Sequence, residues 1–332
     1  MRCDLGVNVR RFALLTLGLV SVGRAEVPAV PLPAPQQVTQ GIWLIPGGVL
    51  PNRQPDGNTV VFAAPSGLVV MDTGRHEWHR EAILTLAREQ NKPIVAIVNS
   101  HWHLDHVSGN SALRAQYPHL RVYASNAIDG ALAGFLRRSA KDEAGLVDDT
   151  RYPEETRSDI RGDLLTIENG AALKPDVVIT RSDHLRLGGR PFEVNLAPYA
   201  ATSGDVWLYD EKTRVAAVGD LVTLPVPYLD TACPQGWKKA LAQVAAKPFT
   251  TAIPGHGPPL TRAQFSLYRN GFERFIECSS AKEECAAAWV GAVRPLLSGG
   301  AVEAQRAQES AEYYLAMLRA NGGRSQYCEA PG

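Results

Sequence analysis

Short apolar runs bounded by turn residues alternate with longer amphipathic stretches along the chain, and this pattern predicts an α/β protein. Apolar and β-branched runs predict strands at 40–47, 58–63, 67–71, 93–98, 120–124, 185–187, 192–196, 206–209, 214–218 and 250–253. Helical periodicity predicts helices at 77–89, 105–117, 126–138, 262–276, 281–297 and 302–318. The order gives two βα halves followed by a helical C-terminal region.

Basic residues and an apolar run open the chain in the order typical of a secretory signal peptide. Arginines within the first eleven positions precede the apolar residues 12–20, and small residues at Gly23 and Ala25 match the positions that a signal peptidase reads. We therefore expect a signal peptide at 1–25, cleavage after Ala25 and a secreted or periplasmic protein. The apolar run is too short to cross a bilayer. Several prolines then predict an extended leader at 26–37.

The composition is that of an ordinary globular protein, with 332 residues, 45% hydrophobic and 20% charged, and a formal net charge of +0. A chain without excess positive charge gives no reason to expect nucleic acid or an anionic membrane as a partner. We expect a small-molecule substrate instead. The sequence predicts no oligomeric state.

Four cysteines remain after the predicted signal peptide, an even number that favours two disulfides in an exported protein. They are Cys233, Cys278, Cys285 and Cys328. Three pairings are possible. We favour Cys278–Cys285, which closes a short loop, and by elimination Cys233–Cys328. No Cys-x-x-Cys spacing occurs, so a four-cysteine metal site is disfavoured.

One short stretch concentrates metal-binding side chains: His101-x-His103-x-Asp105-His106, directly after the predicted strand 93–98. Imidazole and carboxylate groups are the ligands that bind zinc and similar metals. In extended backbone His101 and His103 face the same side, and Asp105 and His106 follow where the chain should turn. The stretch therefore predicts a metal site at the carboxyl end of a strand. The alternative is a polar turn in which Asp105 caps a helix.

Three more polar residues lie at predicted strand ends beside glycine: Asp72, Asp220 and His256. Glycine lets the backbone turn tightly there and brings a ligand close. Each residue alone is more often a cap, but together with the first stretch they favour one shared metal site. Three other histidines are expected at the surface, with the option that the first lies at the pocket rim: His76, His79 and His184.

Two stretches have the character of a pocket wall. Residues 139–174 are polar, charged and poor in periodicity, which is typical of a functional insertion or a lid; a mobile surface excursion is the alternative. Residues 221–234 contain three prolines and predict a stiff loop at the pocket mouth, with Tyr228 and Leu229 as apolar contacts.

The ordered motifs His101-x-His103-x-Asp105-His106, Gly219-Asp220 and Pro254-Gly255-His256-Gly257 resemble the metallo-β-lactamase superfamily, from about 40 to 260. The resemblance implies a four-layer αββα sandwich: two mixed sheets face to face, helices outside and metals at one edge. It implies a metallo-β-lactamase-like domain at 38–260, with 139–174 as an insertion. Residues 261–332 would form a C-terminal helical appendage.

The resemblance also implies roles for the matching residues. Six would bind two metals: His101 and His103 the first, Asp105, His106 and His256 the second, and Asp220 both. Asp72 would not bind metal itself but would hold one of the metal-binding residues in place. Asp105 would also orient the attacking hydroxide or shuttle its proton.

The chain departs from the family pattern at Ala201. The family usually has Gly-His-Thr-x-Gly-Asp, whose histidine completes the first metal site, whereas this chain has Ala201 at that position. A methyl group has no lone pair to donate. Three outcomes are open: one metal at the second site, another residue such as Tyr199 in the gap, or metal binding without hydrolysis. We favour one tightly bound zinc, with a second that is weak or absent.

The chemistry implied is metal-assisted hydrolysis, because a bound metal lowers the pKa of its water from about 15.7 towards about 7. We therefore expect an exported metal-dependent hydrolase that uses metal-bound hydroxide on an ester, lactone, thioester or lactam. Export argues against the family's cytosolic roles, such as RNA processing or glutathione-thioester hydrolysis. The alternative is a non-hydrolytic, metal-binding accessory protein of an exported oxidoreductase system, which Ala201 favours. Redox chemistry at an iron pair would need more ligands than the sequence offers.

Overall fold

The computed structural model describes residues 33–279 and 285–328, which belong to one compact unit. The predicted signal peptide and most of the predicted leader lie outside these residues. Within the described ranges, no helix combines the length and the apolar character needed to cross a bilayer.

The first sheet has seven strands in chain order. They are β1 Gln36–Thr39, β2 Ile42–Ile45, β3 Thr59–Ala64, β4 Gly67–Met71, β5 Ile94–Val98, β6 Arg121–Ala124 and β7 Val177–Val178. The first four strands pair antiparallel, and β4 to β7 pair parallel. Every residue of β4 is buried, as expected for an apolar strand that is covered on both faces.

The second sheet has six strands in the order β13-β12-β11-β10-β9-β8. They are β8 Asp183–Leu187, β9 Arg190–Pro198, β10 Gly204–Asp210, β11 Val215–Thr223, β12 Thr251–His256 and β13 Leu260–Thr261. Gly188 and Gly189 make the β8–β9 hairpin with φ of 57° and 87°, a conformation that suits glycine. Only β11 and β12 pair parallel among the described strands of this sheet.

Ten α-helices in the described part of the chain cover the two sheets. They are α1 Glu77–Glu89, α2 Leu104–Val107, α3 Asn110–Gln116, α4 Ala127–Ala133, α5 Phe135–Glu143, α6 Glu154–Glu168, α7 Pro234–Ala246, α8 Arg262–Cys278, α9 Cys285–Val293 and α10 Gly300–Ala320. One apolar core lies between the sheets, a second joins the first sheet to α1 and α3, and a third joins the second sheet to α7 and the C-terminal helices. This is the four-layer αββα sandwich, stabilised by apolar burial in each interlayer space.

The region after β6 differs from its prediction. The helix predicted at 126–138 is two helices, α4 and α5, which meet at Gly134, whose backbone (φ −117°, ψ −98°) is not helical. The stretch 139–174 is also ordered into helix, chiefly α6. Trp102, Ile128 and Leu136 share a small apolar cluster, so α4 and α5 pack next to the predicted metal-binding stretch.

The C-terminal helices pack on the outer face of the second sheet, where Trp289 and Tyr268 lie in the same core as Trp237 of α7. Both predicted disulfides are confirmed: Cys233 pairs with Cys328, and Cys278 with Cys285. The first bridge spans 95 positions and fastens the end of the described chain to the start of α7.

Candidate metal centre

The predicted site residues converge from strand ends of both sheets. Asp72 follows β4, His101 follows β5, and Asp220 and His256 lie in the adjacent strands β11 and β12. The close approach depends on glycine: a Cβ on Gly255 would lie 1.9 Å from Oδ1 of Asp220. The sequence motif Pro-Gly-His-Gly therefore places His256 beside Asp220 because no side chain separates them.

Two groups of three buried side chains have donor atoms within 4.8 Å of one another. The first group consists of His101, His106 and Asp220, and the second of Asp105, His106 and His256. His106 belongs to both groups, with Nε2 3.2 Å from Oδ1 of Asp220 and 3.5 Å from Oδ2 of Asp105. The structure thus brings five of the six predicted ligands together.

Asp72 supports two of these histidines, His106 directly and His101 through Ser100. Its Oδ1 accepts a bond from the Ser100 amide (2.7 Å), and its Oδ2 accepts one from the Ser100 hydroxyl (2.6 Å). His106 Nδ1 is 2.9 Å from the same Oδ2. Because a carboxylate only accepts, Nδ1 of His106 carries a hydrogen, so Nε2 is the nitrogen available to a metal. The Ser100 hydroxyl gives its hydrogen to Asp72, so it accepts one from His101 Nδ1 at 2.8 Å. Nε2 of His101 is therefore also the nitrogen available to a metal.

His103 is the predicted ligand that belongs to neither donor group. Its ring packs edge-on against His101, with 4.4 Å between centroids, and its Nε2 is 2.9 Å from the hydroxyl of Thr231. Ala201 is buried, and its carbonyl accepts the Thr231 hydroxyl at 2.9 Å. The turn that carries Ala201 therefore contributes backbone, and no side-chain donor, to this part of the site.

Burial and neighbouring charges shift the pKa values of the imidazoles in different directions. Burial, together with the charge of His106, lowers the pKa of His101 well below 6.5, and burial also lowers the pKa of His103. Burial opposes charge on His106 as well, but the carboxylates of Asp220 and Asp105 raise its pKa well above the usual value. His101 and His103 are therefore neutral, the form that binds a metal, whereas a metal on His106 would displace the Nε2 proton that the carboxylates favour.

The carboxylates of the centre are held ionised. Burial raises the pKa of Asp105. The charge of His106 and the hydrogen bonds that Asp105 accepts from His106 and His256 outweigh burial, so the pKa of Asp105 is strongly lowered. The pKa of Asp220 is lowered in the same way, against burial, by His106, His256 and His101. The centre therefore holds two buried, ionised carboxylates, which favour the binding of a cation.

The donor atoms fit a metal cation. His101 Nε2 and both carboxylate oxygens of Asp220 are buried without a hydrogen-bond partner among the described residues. Buried polar atoms are normally satisfied, and an unpaired buried carboxylate is costly. A divalent cation held by these nitrogen and oxygen donors would satisfy all three atoms, and the donor types are those that zinc accepts.

A cavity of about 260 Å³ opens beside the centre and reaches Asp105 and Asp220. Its apolar wall is aromatic, with Trp102, Phe135 and Tyr228. Tyr228 packs edge-on against His256 at 5.3 Å. As predicted, the loop 221–234 contributes Tyr228 to the pocket, whereas Leu229 is fully buried and does not line it.

Charged side chains also line the cavity. Glu143, Asp163 and Asp230 line it together with one cation, Arg75. Arg75 is paired with Asp163, so its charge is already balanced. Burial raises the pKa of Asp163 to about 6, against the lowering effect of Arg75. Apart from the metal centre, the cavity is acidic.

The predictions for His76 and His79 were wrong, because both residues are buried. His76 lies between two carboxylates, 2.7 Å from Asp56 and 3.2 Å from Asp159. His79 Nε2 is 2.8 Å from the Thr59 hydroxyl, which donates to the Asp72 carbonyl. These partners come from distant positions, so the local helix pattern gave no sign of them. The prediction that His184 is exposed is confirmed.

Comparisons with known proteins bear on the family and on the fold. A family model described as "Metallo-beta-lactamase superfamily" matches residues 53–256. The fold is similar to a metallo-beta-lactamase from Pontibacter korlensis, with a TM-score of 0.52, 18% identity and coverage of 72% of this chain and 98% of that one. It is also similar to a metallo-beta-lactamase family protein from Thermus thermophilus, with a TM-score of 0.57, 18% identity and coverage of 86% and 95%. At these identities the similarity shows a shared fold.

Curated relatives match a shorter region. A hydroxyacylglutathione hydrolase from Synechococcus sp. (strain JA-3-3Ab) is 44% identical over 54 residues, which are 16% of this chain and 21% of that protein. One from Crocosphaera subtropica (strain ATCC 51142 / BH68) is 39% identical over 54 residues. The chain thus spans about a fifth of the length of these relatives.

Proposed function

Because the chain belongs to the metallo-beta-lactamase superfamily, we propose that it is a zinc-dependent hydrolase of small substrates with an ester, lactone, thioester or lactam bond. The observation that carries the proposal is the pair of donor groups that share His106 and border the cavity. His101, Asp105, His106, Asp220 and His256 would hold zinc. When bound, zinc acidifies water and polarises a carbonyl oxygen.

The residues around the centre have separate tasks. Asp105 lines the cavity as an ionised carboxylate, so it would accept a hydrogen bond from the attacking water and orient it. Asp72 does not line the cavity; it would keep two imidazoles in the tautomer that presents Nε2 to the centre. Trp102 and Phe135 would contact the acyl part of the substrate and exclude bulk water.

The charge of the cavity narrows the substrate class. Glu143 and Asp230 have no ion-pair partner among the described residues, and Arg75 is balanced by Asp163. A substrate carboxylate placed there would meet like charge in a partly buried site, which is unfavourable. We infer a neutral or cationic substrate. Glutathione thioesters, named by the curated relatives, carry carboxylates and fit this cavity poorly.

We propose that the protein is exported, on the basis of its N-terminal sequence. Basic residues, the apolar run 12–20 and the small residues before position 26 support a signal peptide and an exported protein. Two disulfides are in keeping with an oxidising compartment.

A panel of chromogenic esters, lactones, thioesters and lactams tests the proposal, with each substrate made as a neutral form and a carboxylate-bearing twin. We expect the zinc-loaded protein to hydrolyse at least one neutral member, to lose activity with a chelator and to regain it with zinc. Carboxylate twins should show a several-fold higher KM. Asp105→Asn should lower kcat, and Glu211→Gln, on the exposed β10–β11 turn, should not.

A zinc-loaded protein that hydrolyses no member would overturn the hydrolase proposal and favour the metal-binding accessory protein, which the alanine at 201 supports. Equal kcat/KM for the neutral and carboxylate twins would overturn the inferred substrate charge alone.

A further inference from the structure

Thr231 connects His103 to Ala201. His103 is the predicted ligand that belongs to neither donor group, and Ala201 stands where the family has a histidine. Thr231 lies in the loop between β11 and α7 and is buried. Its hydroxyl oxygen is 2.9 Å from His103 Nε2 and 2.9 Å from the carbonyl oxygen of Ala201. One hydroxyl thus joins His103 to Ala201.

The direction of the two bonds follows from their partners. A carbonyl oxygen can only accept, so the single hydroxyl hydrogen of Thr231 goes to Ala201. Towards His103 the hydroxyl oxygen must then accept, and His103 Nε2 must carry a hydrogen. In a neutral imidazole the lone pair is then on Nδ1.

The surroundings keep the ring of His103 in place. It is edge-on to His101, at 4.4 Å, and to Trp102, at 4.6 Å, and it lines the cavity. The loop that carries Thr231 is held from the other side, because the Ser325 hydroxyl donates to the carbonyl of Asp230, the preceding residue. His103 therefore lies next to the first donor group with a defined tautomer.

We propose that Thr231 is a positioning residue that fixes His103 as an Nδ1 ligand, so that His103 joins His101 and Asp220 in a first metal group built without a side chain at position 201. The proposal rests on the metal centre of the proposed function. Second-layer hydrogen bonds of this kind typically change metal affinity by about 10- to 100-fold.

Thr231→Val removes the hydroxyl at nearly constant volume, and Thr231→Ser keeps it. Thr250→Val is the matched control, because the exposed Thr250 hydroxyl also donates to a backbone carbonyl, that of Arg214. The full mature protein, free of zinc, is studied by ¹⁵N NMR of the imidazoles, with the His103 signals assigned from their loss in His103→Gln. The proposal predicts a hydrogen on Nε2 in the native protein, in Thr231→Ser and in Thr250→Val, and a mixture of tautomers in Thr231→Val.

Zinc titration against a competing chelator gives the second readout. Thr231→Val should weaken the less tight binding step by about 10- to 100-fold, while Thr231→Ser and Thr250→Val stay within about threefold. A hydrogen on Nδ1 of His103 in the native protein overturns the proposal even if Thr231→Val does not fold. Native zinc affinity and stoichiometry in a folded Thr231→Val also overturn it. Absence of hydrolysis with the predicted tautomer and zinc effects would instead refute only the proposed function.

Discussion

Asp72 orients histidines from both donor groups. Through Ser100 and directly, one carboxylate fixes the orientation of His101 and His106. Asp72 itself has a φ of 63°, which is uncommon for a residue with a Cβ and is tolerated best by aspartate and asparagine. The Ser100 amide and hydroxyl donate to the Asp72 carboxylate and stabilise this conformation. The backbone turn after β4 and the orientation of the two histidines therefore depend on the same hydrogen bonds.

His79 supports Asp72 from behind and gives the fold a pH dependence. Burial lowers the pKa of His79 to about 4, below the ordinary 6.5, so the folded state prefers the neutral ring. The stability this provides is complete above pH 6.5 and is lost as the pH falls through 4. From pH 7 to pH 5 the loss is about 2 kcal/mol.

His79→Gln keeps an N–H donor for Thr59 but does not titrate. We therefore expect the free energy of unfolding of the native protein to fall by about 2 kcal/mol more between pH 7 and pH 5 than that of the variant. Denaturant unfolding of both proteins at the two pH values, with chelator present, measures the difference. The same pH dependence in both proteins would show that the ring is not held neutral.

The site residues divide into those with a sequence signal and those without one. Four of the predicted ligands lie within six positions in an unusual order, and Asp72, Asp220 and His256 follow predicted strands, so their meeting point could be inferred. Thr231 is one threonine in a loop, and its role depends on a contact with Ala201 across 30 positions. Side chains whose partners are distant in sequence cannot be predicted from local pattern.

At the scale of elements, α6 is the helix that the sequence indicated least. Its buried positions are Asp159, Ile160 and Asp163, so it has no apolar stripe of the usual kind. It is held by ion pairs instead, Asp159 with Arg53 at 2.9 Å and Asp163 with Arg75. Ten of the described strands and α1 were predicted to within about five residues because apolar burial, which sequence pattern reports, determines them. The short strands β1, β7 and β13 were not predicted.

Asp159→Asn tests whether these ion pairs hold α6 as a wall of the cavity. The change leaves Arg53 without its carboxylate, while His76 keeps Asp56. An unsatisfied buried group costs about 1–3 kcal/mol. We expect hydrogen exchange of the α6 amides to accelerate at least about fivefold. For the proposed substrates, KM should rise more than kcat falls.

Glu168→Gln is the matched control, because Glu168 is an exposed carboxylate at the end of the same helix. It should leave both the exchange rates and KM unchanged. If Asp159→Asn exchanges like the native protein, the Asp159–Arg53 pair does not hold α6 in place.

At the scale of the molecule, the C-terminal region contributes to the pocket as well as to the second sheet. Tyr327 packs edge-on against Phe135 at 4.9 Å, and Phe135 lines the cavity. The neighbouring Cys328 is bonded to Cys233, two positions after Thr231. The end of the described chain therefore supports both the aromatic wall and the loop that bonds His103. A formal net charge of +0 hides a local excess of carboxylates at this pocket.

The metal content of the purified chain tests most directly the central claim, that the buried donor groups form a metal centre. Elemental analysis should find about one tightly bound zinc per native chain, and none in His106→Ala, because His106 belongs to both donor groups. His119→Ala, at an exposed position, should keep the native content. A native protein that binds no zinc when zinc is supplied, or a His106→Ala variant that retains it, would contradict the metal centre described above.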